Sequence, residues 1–292
     1  MSIEDKIIEK ISSFPTLPTM ASKLMGLINN AEVSASEIGR VVQYDPALTA
    51  NLLKAANSAY LGQSCSVDSL SEAFFRLGTK WVYQMSVSSL IYSNLNKPVS
   101  GYELSGEDLW KHSVAVGQMS DILCQTLKIK DTGVVFTAGL LHDIGKMILG
   151  EFVSESFDDI QEIVINEKIP FEEAEKRVIG LDHAEVGGMT AEKWNFPQTI
   201  VDTIRWHHQP ENAEMPSETI DIVHVADATC MIQGFGIGSD DIQYRLNNDS
   251  VDRLCISSKI LEQATSELVT VLEDIDMMIA SEKPAIEAAG RL

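Results

Sequence analysis

Apolar residues recur at intervals of three and four positions along almost the whole chain, whereas runs in which apolar and polar residues alternate are scarce. This spacing is typical of helices that bury one face. The sequence therefore predicts an all-α fold. In the N-terminal part we expect a helix that ends before Phe14, a second that runs to about Asn30, a third from about Ser34, a fourth from Pro46 through Ala59, and two more over about 69–77 and 80–95.

The stretch from residue 94 to 107 interrupts this periodicity with Pro98, Gly101 and Gly106, which indicates a domain boundary near residue 100. We predict an N-terminal helical domain over residues 1–100 that packs on a C-terminal helical bundle over residues 101–238, followed by an extension over residues 239–292. Beyond the boundary we expect helices over about 107–127, 132–149, 155–167, 171–179, 183–194, 198–208, 217–233 and, in the extension, an amphipathic helix over about 257–280.

Several predicted helix starts carry side chains that can accept hydrogen bonds from free N–H groups of the first turn. Ser34 and Ser36 can each cap the third helix, and Asp45 precedes a proline in a first turn. Asp182 is followed three residues later by Glu185, which is the spacing of a capping box. These signals support the predicted helix boundaries.

Charge is distributed unevenly along the chain. The whole sequence has 22 basic and 43 acidic residues, but residues 1–100 have eight of each, so the entire surplus of 21 negative charges lies in residues 101–292. Such a surface repels nucleic acid and favours divalent cations, although surplus carboxylates can also simply solvate exposed helix faces. We therefore expect no nucleic-acid partner.

Two further classes of protein are disfavoured. The four cysteines are far apart, which argues against a zinc ribbon or an iron–sulfur site. The N-terminus is charged where a signal peptide would be apolar, and no run approaches the roughly 18 apolar residues of a membrane span. We expect a cytoplasmic protein without a membrane partner.

The strongest candidate chemistry lies in the apolar run from Ala138 to Leu149, which His142, Asp143 and Lys146 interrupt. A buried carboxylate requires a cation, a metal ion or strong hydrogen-bond donors. A neutralising pair between Asp143 and Lys146, with a hydrogen-bonded histidine beside it, is therefore one interpretation. A metal site is the other.

Other histidines and aspartates also stand within or at the ends of apolar helices of the second part, and each has a structural alternative. The pair His207-His208, which precedes Pro210, could cap terminal carbonyls instead of binding a cation. We interpret His224 as a core or supporting histidine. Taken together, however, so many histidines and aspartates inserted into apolar helices of one domain indicate a metal site with imidazole and carboxylate ligands.

Imidazole and carboxylate ligands without thiolate suit divalent first-row ions, namely iron, manganese, nickel, cobalt or zinc. Two such ions about 3.5 to 4 Å apart need a bridging carboxylate, for which Asp143 is the natural candidate. We therefore expect two ions as cofactors.

The order of these residues resembles the HD superfamily of metal-dependent phosphohydrolases. The resemblance implies that one ion is held by His112, His142, Asp143 and Asp227, and that the second is held by Asp143 together with His183, His207 and His208. It also implies that Lys146 contacts a substrate phosphate, so that Lys146 and Asp143 would be the catalytic residues of an active enzyme.

The chain is more closely similar to the HDOD branch of that superfamily, over roughly residues 10 to 235. The resemblance rests on the segments Phe14–Pro18, Tyr44–Thr49, Ala55–Tyr60 and Ala73–Gly78. It implies a bacterial regulatory module linked to signal transduction, many relatives of which lack hydrolytic activity. His208 is followed by Gln209-Pro210 instead of the Glu and downstream Gly-Tyr-Pro of cyclic-di-GMP phosphodiesterases, so we do not expect that substrate.

Two functions thus remain open from the sequence. The first is a signalling module with a dinuclear metal site that binds a signalling protein through residues 1–100, for which the surface near Asn51, Lys54 and Asn57 is the candidate. The second is a phosphohydrolase or phosphodiesterase that acts on a nucleotide or another phosphate ester.

Overall fold

The computed structural model describes residues 2–27, 34–57, 67–105, 107–130, 133–236, 238 and 243–280. Within these residues the chain is helical, and the only pairing of extended backbone is an isolated bridge between Val99 and Leu104. The predicted all-α fold is confirmed. No helix in the described part of the chain is both long and apolar enough to span a membrane.

The described residues form sixteen α-helices. They are α1 (Ile3–Ser13), α2 (Thr19–Leu27), α3 (Ala35–Val42), α4 (Pro46–Ala56), α5 (Leu70–Leu77), α6 (Thr79–Leu95), α7 (Asp108–Leu127), α8 (Val134–Leu141), α9 (Lys146–Glu155), α10 (Phe157–Glu167), α11 (Phe171–Ile179), α12 (His183–Lys193), α13 (Gln198–Trp206), α14 (Glu218–Gln233), α15 (Asn248–Arg253) and α16 (Ser258–Ala280).

The predicted caps are present. Ser34 accepts a hydrogen bond from Glu37 N, and Asp45 accepts one from Leu48 N. Asp182 forms the predicted capping box at the start of α12. The short helix α15 was not predicted, because its six residues are too few to show helical periodicity. Predicted features within residues 28–33, 58–66 and 281–292 lie outside the described residues.

The chain forms two compact units, as far as their residues are described. One comprises Met1–Leu17 and Tyr92–Thr265, and the other comprises Pro18–Ile91 and Ser266–Leu292. The three domains expected from the sequence, over residues 1–100, 101–238 and 239–292, remain a prediction.

Helix α7 forms the centre of the first unit and packs against α8 and α14. Between Leu109 and Cys124 every residue of α7 except Lys111 is buried. Gly117 of α7 and Gly139 of α8 allow these helices to cross at very short distance, because a Cβ atom on Gly139 would lie 3.0 Å from the Gly117 Cα. The close crossing holds the C-terminal end of α8 beside the buried helix.

Helix α1 also belongs to this first unit. It packs against α9 and α12. The Lys193 ammonium group in α12 donates to the carbonyl oxygens of Ile11, Ser12 and Phe14 at 2.7, 2.7 and 3.0 Å. This lysine satisfies carbonyls that the end of α1 leaves free, and its positive charge interacts favourably with the negative end of the helix dipole.

In the second unit, a small core of Ala56, Val67 and Ala73 is covered by the partly buried Leu53 and Leu77. The Asn57 side chain accepts a hydrogen bond from Val67 N and donates to Val67 O, both at 2.7 Å. Asn57 therefore fixes the end of α4 to a distant segment. A substitution of Asn57 would remove these hydrogen bonds, so it would not test the predicted docking surface alone. Lys54 is exposed.

The prediction of one helix over residues 132–149 was wrong. Helix α8 ends at Leu141, α9 begins at Lys146, and the four residues between them form a turn. The reason is the contact of Gly145 with α12, where a Cβ atom would lie only 1.9 Å from the His183 carbonyl oxygen. The turn brings this stretch of backbone against the N-terminal end of α12.

We predict that Gly145→Ala destabilises the protein. The new methyl group meets backbone atoms, which cannot rotate away as a flexible side chain could, and overpacking of this kind costs about 1 to 3 kcal/mol or more. Thermal or denaturant unfolding of the full chain measures the change. Gly26→Ala is the matched control, because its Cβ would meet no atom within 4 Å and alanine is the better helix former. An equally stable Gly145→Ala variant would contradict the proposed packing.

Candidate metal centre

The seven histidines and aspartates predicted from the sequence come together at one place in the first unit. Their ligand atoms form two groups, and within each group these atoms lie within 4.8 Å of one another. Six of the side chains are fully buried and His208 is half-buried. The groups are His112, His142 and Asp227, and Asp143, His183, His207 and His208.

The first group lies where α7, the turn after α8 and α14 meet. His112 Nε2 is 3.0 Å from Asp227 Oδ1, and His142 Nε2 is 3.6 Å from the same oxygen. Asp143 Oδ2 is 3.3 Å from His142 Nε2 and 3.7 Å from His112 Nε2. Asp143 therefore also belongs to this group through one of its two oxygens.

The second group contains the other oxygen of Asp143. Asp143 Oδ1 is 3.4 Å from His183 Nε2 and 3.9 Å from His207 Nε2. His183 Nε2 also lies 2.8 Å from His208 Nε2. The Asp143 carboxylate thus turns one oxygen toward each group.

Four of the histidines are oriented by their Nδ1 atoms. His112, His142 and His207 place Nδ1 against the carbonyl oxygens of Phe235, Gly139 and Ile204 at 2.9, 2.7 and 2.7 Å, and His183 places Nδ1 2.7 Å from a Glu175 carboxylate oxygen. Because these oxygens can only accept, the proton of a neutral ring lies on Nδ1. Each Nε2 then directs a lone pair toward the cluster.

Several buried polar atoms of the cluster have no hydrogen-bond partner within the part of the chain that the structure describes. A buried polar group without a partner costs about 1 to 3 kcal/mol, and such groups are rare in folded proteins. Metal coordination would satisfy the Nε2 atoms of His142 and His207 together with Asp143 Oδ1, so the donor set fits divalent first-row ions. The atoms are His142 Nε2, Asp143 Oδ1, His207 Nε2 and His208 Nδ1.

The structural alternative for Lys146 is also present. The buried Lys146 ammonium group donates to Asp143 Oδ2 at 2.6 Å and lies 5.6 Å from the centre of the Tyr102 ring. Asp143 is therefore partly neutralised by a lysine, but this ion pair occupies only Oδ2 and leaves Oδ1 unsatisfied. The ion pair explains how part of the Asp143 charge is balanced. It does not explain why the histidines converge on Asp143.

The imidazoles differ in their affinity for protons. Burial disfavours a charged ring, but nearby carboxylates, with Asp143 first among them, outweigh it and raise the pKa of His142 to about 10. Burial is likewise outweighed by Glu175, which raises the pKa of His183 to about 9. At His207 burial dominates and lowers the pKa to about 3.

Three residues behind the ligands, Tyr102, Glu175 and Tyr244, were not predicted from the sequence. The Tyr102 hydroxyl donates to Glu175, and the Tyr244 hydroxyl donates to Asp227 Oδ2 at 2.7 Å. Burial and the Asp227 charge raise the pKa of Tyr244 well above its usual value, so its hydroxyl keeps the proton that it donates. Glu175 could have been found, because it lies four residues after Phe171 and thus on the same apolar helix face.

His224 lies behind the cluster. Its Nδ1 is 2.6 Å from the His207 carbonyl oxygen, and its Nε2 accepts a hydrogen bond from Asn247 N at 2.8 Å. Both ring nitrogens are thus engaged. This placement agrees with the interpretation of His224 as a supporting histidine.

A cavity of about 430 Å³ reaches the cluster at His208. Its wall includes Tyr244 and Arg245, the amide side chains of Asn212 and Asn247, and the buried carboxyl group of Glu172. The cavity is large enough for a small ligand, and it connects the half-buried histidine with the surface.

The model of the HDOD domain family matches residues 14–210. A curated relative, an uncharacterized protein from Treponema pallidum, is 27% identical over 228 residues, which are 76% of this chain and 43% of that protein. The chain spans less than half the length of the curated relatives that it matches.

Two solved structures share the fold. An HDOD domain protein of unknown function from Geobacter sulfurreducens has a TM-score of 0.68 and 24% identity, and the match covers 96% of each chain. A proposed phosphohydrolase from Shewanella amazonensis has a TM-score of 0.60 and 22% identity, covering 90% of this chain and 97% of its own.

We predict that Glu172→Gln removes part of the pH dependence of stability in the metal-free protein. Burial raises the pKa of Glu172 to about 8, whereas an exposed glutamate titrates near 4.3. As the pH rises between these values, the unfolded chain releases a proton that the folded chain retains, so this residue lowers the free energy of unfolding. The Gln variant should gain about 1 kcal/mol or more relative to the unsubstituted protein at pH 8 and much less at pH 4.5.

Urea unfolding at a series of pH values measures this difference. Glu173→Gln removes a carboxylate from the same helical turn, where it pairs with Arg177 at the surface, and serves as the control. A difference between Glu172→Gln and the unsubstituted protein that does not change with pH would contradict the prediction.

Proposed function

Because the chain belongs to the HDOD family, we propose that it is a bacterial signal-transduction protein whose first unit carries a dinuclear site for divalent first-row metal ions. The observation that carries this proposal is the position of Asp143. Its two oxygens face two separate groups of imidazoles, and buried atoms in both groups lack hydrogen-bond partners among the described residues.

The proposed ligands follow from this geometry. His112, His142 and Asp227 would hold one ion, and His183, His207 and His208 would hold the other. Asp143 would serve both. The absence of thiolate from this set favours iron, manganese, nickel, cobalt or zinc over ions that prefer sulfur.

A regulatory role requires a surface that a partner can bind. We propose that a signalling protein binds within residues 1–100, as the resemblance of this part to regulatory relatives implies. In the described part of this region, Tyr44 and Phe75 are 77% and 90% exposed, and Lys54 is exposed as well. Large exposed apolar side chains are common at protein interfaces.

Phosphoester hydrolysis is a second candidate, and the position of Lys146 favours it. A divalent ion bound in either group would supply Lewis-acid stabilisation to a phosphoryl oxygen. Lys146 would add a fixed positive donor beside Asp143, and the burial of the ligands would exclude bulk water. The cavity at His208 is large enough for a small phosphate ester, and its wall contains Arg245 as well as Glu172, Glu173 and Glu211. The solved relative described as a proposed phosphohydrolase agrees with this chemistry.

We predict that the protein purified in the presence of manganese or iron retains two ions per chain, as measured by inductively coupled plasma mass spectrometry. Asp143→Ala should lose both ions, because it removes the shared ligand. His142→Ala should weaken binding in the first group. Asp158→Asn, which removes an exposed carboxylate distant in sequence from every ligand, controls for ions attracted merely by the negative charge of the protein.

The same preparations, assayed with a panel of phosphomonoesters and phosphodiesters, separate the two functions. Turnover that disappears in Asp143→Ala and persists in Asp158→Asn supports hydrolysis. Two bound ions without turnover on any ester support the signalling module. Unsubstituted protein that retains no ion, or an Asp143→Ala variant with the same ion content, contradicts the proposed site.

A further inference from the structure

Two tyrosine hydroxyls donate hydrogen bonds to carboxylates that position the cluster. Tyr244 donates to Asp227, and Tyr102 donates to Glu175. Tyr244, like Asp227, lies beyond the residues that the HDOD family model matches. The two hydrogen bonds serve different groups of ligands.

Tyr244 acts on the first group through the orientation of a carboxylate. The Asp227 oxygen that faces His112 and His142 is Oδ1, at 3.0 and 3.6 Å from their Nε2 atoms. The other oxygen, Oδ2, accepts the Tyr244 hydrogen bond at 2.7 Å. This bond restricts rotation of the carboxylate and keeps Oδ1 turned toward the two imidazoles.

Tyr102 acts on the second group through one additional residue. Its hydroxyl donates to Glu175 Oε1, while Glu175 Oε2 accepts the Nδ1 proton of His183 at 2.7 Å and the His183 backbone N–H at 3.2 Å. Glu175 is fully buried. With Nδ1 held by this carboxylate, His183 Nε2 faces Asp143 Oδ1 at 3.4 Å.

We infer that Tyr244 and Tyr102 are positioning residues that set the metal affinities of the two groups separately, Tyr244 that of the first group and Tyr102 that of the second. The inference rests on the proposed function, because it assumes that the two groups bind ions. Carboxylates and hydroxyls behind metal ligands typically contribute about 10- to 100-fold to metal affinity, which is the size of the effect expected here.

Tyrosine-to-phenylalanine substitutions isolate the hydrogen bonds. The Tyr244 ring also contacts His208, with ring centres 5.4 Å apart, and the Tyr102 ring contacts His183 at 5.9 Å. Phenylalanine keeps these ring contacts and removes only the hydroxyl. Tyr44→Phe is the matched control, because Tyr44 is 77% exposed and is distant in sequence from every proposed ligand.

The test is a titration of the chelator-treated full chain with Co²⁺, followed by calorimetry and by visible absorption. His208→Ala provides a background in which the first group is complete, and His112→Ala provides one in which the second is complete. In the His208→Ala background, Tyr244→Phe should raise the Kd for Co²⁺ about 10-fold or more, and Tyr102→Phe should leave it nearly unchanged. In the His112→Ala background, Tyr102→Phe should raise the Kd for Co²⁺ about 10-fold or more, and Tyr244→Phe should leave it nearly unchanged.

The same substitutions in the otherwise unsubstituted chain give a second measurement. There Tyr244→Phe should weaken one of two Co²⁺ binding steps, and Tyr102→Phe should weaken the other. The absorption spectrum should change only for the weakened step, whereas Tyr44→Phe should change neither. A general loss of folding would not weaken a different Co²⁺ binding step for each tyrosine substitution.

Equal effects of both tyrosine substitutions on both groups, or no effect of either on affinity, would overturn the inference. A chain that binds a single Co²⁺ ion, weakened equally by both substitutions, would overturn it as well. Failure of the unsubstituted chain to bind Co²⁺ is a different result, because it contradicts the proposed metal site itself.

Discussion

The buried Asp143 carboxylate is the constraint on which the rest of the site depends. It is 1% exposed, and an ionised carboxylate in an apolar helical bundle requires compensating charge and hydrogen bonds. Lys146 supplies a positive charge and a hydrogen bond to Oδ2. Oδ1 has no hydrogen-bond partner among the described residues and faces His183 and His207. The surrounding imidazoles, and the ions that we propose they bind, are the groups that stabilise this charge.

The backbone around Asp143 forms a turn instead of a continuous helix. The turn between α8 and α9 places His142 and Asp143 at the meeting point of several helices, and Gly145 packs against the first residues of α12. His183 is the first residue of that helix. A single close contact between backbones thus brings His183 beside Asp143, so the packing of the fold and the geometry of the site have the same cause.

Much of this arrangement could be predicted from the sequence, because a polar residue in an apolar helix is conspicuous. His142 and Asp143 were found in this way, the all-α fold followed from the spacing of the apolar residues, and the full set of seven ligands came from the resemblance to the HD superfamily. The turn after Leu141 could not be predicted, since the apolar pattern continues through it and the close contact of Gly145 is tertiary. Tyr244 gave no signal, because its partner Asp227 lies seventeen residues away and only folding brings the two together. Glu175 was overlooked beside the neighbouring glutamates Glu172 and Glu173.

The most direct test of the central claim is anomalous X-ray diffraction from crystals of the manganese- or iron-loaded protein, measured on both sides of the metal absorption edge. We expect two anomalous peaks about 3.5 to 4 Å apart, one on each side of the Asp143 carboxylate, with the histidine Nε2 atoms directed at them. The absence of both peaks, with the bond between Lys146 and Asp143 intact and the imidazoles bonded only to one another, would contradict the account.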